Sequence, residues 1–257
     1  MHLSVHHLRD FYYRSALGRA TQRVLRQQVQ AFWPTTDGQT VAGFGFAVPL
    51  LRPYLEKSRR VIGLMPAPQG VMAWPQGLPN ASVLCEETMW PIDTGHIDRL
   101  IVMHGLESSE QPSALLDECW RVLGPGGRAL FIVPNRSGLW ARSDLTPFGY
   151  GRPYSLGQLQ SQLTSHQFMI EHHSAALYGP PSSRRFWMQT AMIWEQMGAS
   201  VSAMIAGGVV LVEVSKRVQA SNGTPVLERM RRPLNVLVPK PAAKPVLPRK
   251  VQCQNRE

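Results

Sequence analysis

A chain of 257 residues, 44% of them hydrophobic, can bury one sizeable α/β core and is short for two. Its three cysteines, Cys85, Cys119 and Cys253, are odd in number and widely spaced. That pattern speaks against a disulfide framework or a paired-cysteine zinc site and fits a reducing, cytoplasmic setting. The formal net charge is +10, but ten basic residues against Glu228 and Glu257 fall between Lys216 and Glu257, leaving only +2 for the 215 residues before them.

The start, Met1-His-Leu-Ser-Val-His-His7, lacks the apolar stretch of a secretory signal and is followed by Arg9 and Asp10. From 10 to 33, Leu17, Ala20, Val24 and Ala31 share one helical stripe with Leu25, Val29 and Phe32 beside it, and Arg14, Arg19, Arg23 and Arg26 lie on the wetter side. This predicts a docking helix ended by Pro34. Thr40-Val-Ala42 then opens a strand that runs into Gly43-Phe-Gly-Phe-Ala47 and a helix over 48–55. Further strands are expected at 60–64, at 81–85 (ending in Glu86-Glu87) and at 98–103. Pro112 starts a helix carrying Leu115, Leu116, Cys119, Val122 and Leu123, stopped by the turn Gly124-Pro-Gly-Gly127. Arg128-Ala-Leu-Phe-Ile-Val133 is a near-continuous apolar strand of the kind a sheet covered on both faces requires.

A helix at 155–163, a strand near 168–177, an aromatic helix around 186–197 and a last strand at 208–214 complete the alternation. Strand and helix alternating in this way imply right-handed crossovers and an α/β fold with a mostly parallel sheet. No apolar run spans a bilayer: Ala199–Val212, the best candidate, is short, broken by Gly207 and Gly208 and closed by Glu213. No stable membrane insertion is expected. Beyond 217 prolines alternate with basic residues, which predicts an extended, disordered tail. The domains expected are a helical segment over 1–34 packed on the core, a central domain over 35–217 and a basic, proline-rich tail over 218–257.

A glycine loop after strand one, acids after strand three, Asp98 opening the apolar strand four, and Leu123-Gly-Pro-Gly-Gly127 before strand five together resemble the class I S-adenosylmethionine-dependent methyltransferases, specifically the type 11 group, over roughly 35–216. The resemblance implies a Rossmann-like, seven-stranded, mostly parallel sheet with helices on both faces, and S-adenosylmethionine lying across the carboxyl ends of the strands where their order reverses. It implies a cofactor site made by Gly43, Phe44 and Gly45, where the backbone must turn and approach the ligand closely, and by Glu86, a carboxylate able to accept from the adenine amino group. Glu87 competes with Glu86, since only one of two successive strand residues points inward. Two departures stand out: Thr40-Val-Ala42 lacks the acid that usually precedes the loop, and Leu64-Met-Pro-Ala-Pro-Gln-Gly70 lacks the ribose-binding acid, leaving Gln69 as its neutral substitute.

Methyl transfer depends largely on positioning. His104, directly after strand four, is the candidate base or orienting group, with Glu107 three residues on; each has a bland reading too, a structural histidine and a loop acid. Thr146–Tyr154, with Arg152, reads either as a substrate lid or as a packed loop. Tyr12 and Tyr13, and Trp187 and Trp194, read as core or pocket cover. The adjacent pairs His6-His7 and His172-His173 lack the spacing of metal ligands, so no metal is expected, and no Gly-x-Ser-x-Gly elbow supports a hydrolase. The acceptor is a small molecule or a protein, because no Asn/Asp-Pro-Pro-Tyr motif follows strand four. The competing function is a non-catalytic binding or regulatory protein whose basic tail meets a protein or a polyanion.

Overall fold

The computed structural model describes residues 3–182 and 207–217. The expected helix at 186–197, with Trp187 and Trp194, and the tail over 218–257 lie outside the described residues.

The sheet has seven strands: β1 (Thr40–Gly45), β2 (Arg60–Pro66), β3 (Ser82–Cys85), β4 (Ile97–Met103), β5 (Leu123–Pro134), β6 (Met169–Ala176) and β7 (Val209–Ser215). Their order is β3-β2-β1-β4-β5-β7-β6. The first five are parallel and β7 runs antiparallel between β5 and β6. This is the mostly parallel α/β sheet that the alternation of elements predicts, in the Rossmann-like, seven-stranded form that the resemblance implies.

Side chains of successive strand residues leave on opposite faces, and the core divides accordingly. Val41, Ile101, Met103, Leu130 and Ile132 join a cluster with the N-terminal helices. Ala42, Phe44, Leu100, Val102, Phe131 and Val133 join a second cluster under α4 (Pro112–Val122) and α5 (Leu156–Ser165). With both faces covered, the inner strands are mostly apolar, and β1 and β7 are buried throughout.

The helix expected over 10–33 is two pieces, a π-helical turn (Asp10–Arg14) and α2 (Ala16–Phe32), and a short α1 (Val5–Arg9) that the sequence reading lacks precedes them. Ser15 makes the break. Its backbone is extended and its hydroxyl oxygen accepts from the Gly18 N–H at 2.9 Å, capping α2 anew. The helix expected over 48–55 is a four-residue α3 (Val48–Leu51) followed by a 3₁₀ turn.

The glycine turn before strand five is part of β5 itself, because Leu123 already pairs with Ile97 ahead of a register shift. Lys216 latches this turn: Gly126 N–H donates to its carbonyl, its own N–H donates to Gly127 O, and its ammonium reaches the carbonyls of Trp120 and Leu123 at 2.7 Å each. Among the described residues no helix is long and apolar enough to cross a membrane, and no cluster of three or more His, Cys, Asp or Glu could hold a metal.

Candidate active site

The strand order reverses between β1 and β4, the place where open α/β sheets bind ligands. Gly45 at the end of β1 has φ +77°, and a Cβ there would collide with the Met103 carbonyl and stand 2.9 Å from Gly105 N. A Cβ on Gly43 would stand 2.8 Å from Ala47 Cβ and 2.9 Å from Leu51 Cδ1. Packing within the chain therefore accounts for both glycines. Phe44 points to the other face, stacked on Trp90 at 4.6 Å between ring centroids.

His104 follows β4 with φ +54°, a left-handed conformation uncommon for a residue with a side chain. Its surroundings fix it. The Gln69 amide donates to its carbonyl, which also accepts from Ser108 Oγ at 3.1 Å. Its Nδ1 lies 3.1 Å from Glu107 Oε1, its Nε2 lies 2.7 Å from the Tyr12 hydroxyl, and Phe148 packs 4.6 Å from the imidazole. Burial, reinforced by the Glu107 carboxylate, pushes the Tyr12 hydroxyl well above its ordinary pKa. The phenol thus keeps its proton, and its hydroxyl meets Nε2 while the Glu107 carboxyl meets Nδ1. Both ring nitrogens are engaged, so His104 has no free lone pair for a substrate proton while Tyr12 is in place. Glu107 Oε2 is buried without a hydrogen-bond partner.

The N-terminal segment covers this end of the sheet. Val5 N–H donates to Gln69 O at 2.7 Å, Leu8 and Tyr12 are fully buried, and Tyr12 stacks on Phe46 at 5.7 Å. A space of about 10 Å³ remains among Leu3, Leu8, Gln69, His104, Glu107 and Tyr150, room for about one water molecule.

Topology brings Gly45, Gln69 and His104 together. Glu86 stands apart. It is exposed beyond β3, and Glu87 is the half-buried member of the pair, its carbonyl accepting from the Trp90 indole N–H. Alternation fails as a guide here because β3 is an edge strand with Val83 and Leu84 both exposed. In the loop after β5, Arg152 is exposed while its N–H donates to Glu107 O at 2.7 Å, so the backbone of that loop packs on the site.

One cluster has no counterpart in the sequence reading. Glu213 on β7 is buried and accepts from Trp33 Nε1 at 2.8 Å, Arg128 at 3.0 Å and His172 Nδ1 at 2.9 Å. The signal was a lone acid inside Val-Val-Leu-Val-Glu-Val.

Residues 41–131 match the family model described as "Methyltransferase domain". Over that stretch the chain is similar to a class I, type 11-like methyltransferase domain. Solved structures agree on the fold. A SAM-dependent methyltransferase from Thermotoga maritima, described as a possible histamine N-methyltransferase, is 15% identical over 82% of this chain and 95% of that one, with a TM-score of 0.55. A methyltransferase in complex with the Trm112 activator from Haloferax volcanii is 18% identical over 81% and 98%, TM-score 0.55. The [4+2]-cyclase SpnF is 19% identical over 80% and 84%, TM-score 0.53, so the fold also hosts other chemistry. None of the curated proteins matches the chain.

S-adenosylmethionine is the cofactor of this family. With the N-terminal segment docked, the residues of the crevice do not fit it. An adenosyl group cannot enter about 10 Å³, and neither Thr40-Val-Ala42 before the glycine loop nor Leu64-Met-Pro-Ala-Pro-Gln-Gly70 at the end of β2 holds an acid. No catalytic step follows from the closed arrangement.

Proposed function

We propose that this protein is an S-adenosylmethionine-dependent methyltransferase acting on a small-molecule or protein acceptor, and that its own N-terminal segment closes the cofactor crevice until it is displaced. The observation that carries this reading is the Tyr12–His104 hydrogen bond at the switch point of the sheet. The same contact that fills the crevice also occupies the candidate base, so opening would release both together. Gly45, Gln69 and His104 are the residues proposed to face the cofactor once the segment has left, with Gly43 and Phe44 shaping the loop from behind. Glu86 would contribute at the open edge.

The test is calorimetry with S-adenosylmethionine and its demethylated product, on the full chain and on Val5→Pro. Val5 is the first residue of α1, where proline suits the backbone, and the change removes the N–H donated to Gln69 together with the packing of a buried valine, both of which hold the segment down. Binding that tightens at least fivefold in Val5→Pro and in Leu8→Asp is the expected result. No binding by any of the three proteins at millimolar ligand would overturn it.

A second reading is favoured by the absent acids and by glycines that packing alone explains. In it the domain keeps the fold for binding or regulation without turnover, and the basic residues after 217 meet a protein or polyanion partner. Absence of cofactor binding in the opened variants supports this alternative.

A further inference from the structure

Beside the crevice, and sharing none of its lining residues, lies a cavity of about 560 Å³, within the size range of small-molecule sites. The π-helical turn and its flank supply Arg9, Tyr13 and Arg14 as one wall. The other is Arg52 after α3, with Met72 and Trp74 from the segment between β2 and β3.

The chemistry of these walls is specific. Among the described residues no carboxylate lines the cavity. Asp10 alone serves both Arg9 and Arg14, at 3.3 and 3.4 Å, and among the described residues Arg52 pairs with no carboxylate. Behind Tyr13, Arg26 donates to Pro49 O at 2.8 Å while its Nε is buried without a hydrogen-bond partner. An excess of guanidinium charge over an aromatic floor selects a planar apolar body bearing an anionic group: the rings take the body and arginine takes carboxylate or phosphate bidentately. Burial also raises the Tyr13 hydroxyl to about 12, so it stays protonated and able to donate.

We propose that this cavity is a second ligand site, distinct from the cofactor crevice, for a small aromatic anion held by Arg52 and Arg14 against Trp74 and Tyr13. The site stands independently of whether the domain turns over.

Binding to the full chain is measured by calorimetry and saturation-transfer NMR with three probes: indole-3-acetate, naphthyl phosphate and the uncharged indole-3-acetamide. At least one anion should bind tenfold or more tightly than the amide, and the stronger of the two separates a carboxylate site from a phosphate site. Arg52→Glu and Arg14→Glu, both exposed and separate from the crevice, should each lose tenfold or more at unchanged melting temperature. Equal binding of amide and anions, anion binding indifferent to Arg52→Glu, or no binding of any probe at millimolar concentration would overturn the proposal.

Discussion

The hydroxyl of Tyr12 stands 2.7 Å from Nε2 of His104, joining residues 92 positions apart in a fully buried hydrogen bond. Replacing Tyr12 by phenylalanine keeps the stacking on Phe46 and leaves Nε2 unpartnered in the core. The expected cost is about 1–3 kcal/mol, read from urea unfolding. A neutral outcome would mean that the bond does not hold the segment down.

Gly43→Ala adds a Cβ 2.8 Å from Ala47. Overpacking of this kind costs about 1–3 kcal/mol, so the variant's melting temperature should fall in the absence of any ligand. An unchanged melting temperature would return Gly43 to the list of residues kept for a cofactor.

Glu213 sets an acid limit on stability. Burial alone would raise its pKa, but hydrogen bonds from Trp33, His172 and Arg128 together hold it below the usual carboxylate value. A carboxylate depressed in the fold contributes stability that is fully present above the unfolded pKa and is lost as pH falls through the folded one. Unfolding free energy should therefore decline below about pH 4.5. The Glu213→Gln variant should show a shallower decline and be less stable at pH 7 by about 2–3 kcal/mol, since a charge-assisted set is broken. An identical acid profile in the variant would assign the decline to other carboxylates.

Truncation separates the latch from the tail. Removing everything after Arg217 should leave the melting temperature nearly unchanged, because the removed sequence is polar and proline-rich. Ending the chain at Ser215 also removes Lys216, with its two 2.7 Å bonds to Trp120 and Leu123. A clear drop is expected there and in Lys216→Met, by differential scanning calorimetry.

The elements that the sequence made legible are those whose burial is two-sided. β4 and β5 sit at the centre of the sheet, so their apolar runs are continuous and their order follows from the crossover rule. The break at Ser15 was hidden because a serine within an amphipathic pattern looks the same whether it faces water or caps a new helix. At the site, Gln69 and His104 converge because both follow parallel strands and must emerge at one end. Tyr12 had no such guide: a tyrosine on an apolar stripe reads as core, and nothing local reports a partner 92 residues away. Glu213 was equally opaque, since its three donors come from α2's end, β5 and β6.

Tyr12 and Tyr13 are sequence neighbours on one short turn, the first closing the crevice and the second walling the cavity beside it. The turn is a common hinge-pin for two compartments. A guest that bridges Tyr13 to Trp74 fastens the turn and so opposes its departure from His104. By reciprocity the same factor must appear whichever guest is added first. Titrating the demethylated cofactor product with and without the tightest aromatic anion, and then in the reverse order, should give two equal factors, each a weakening. Two neighbouring rings would thus make the crevice's readiness for its cofactor a function of a molecule bound elsewhere.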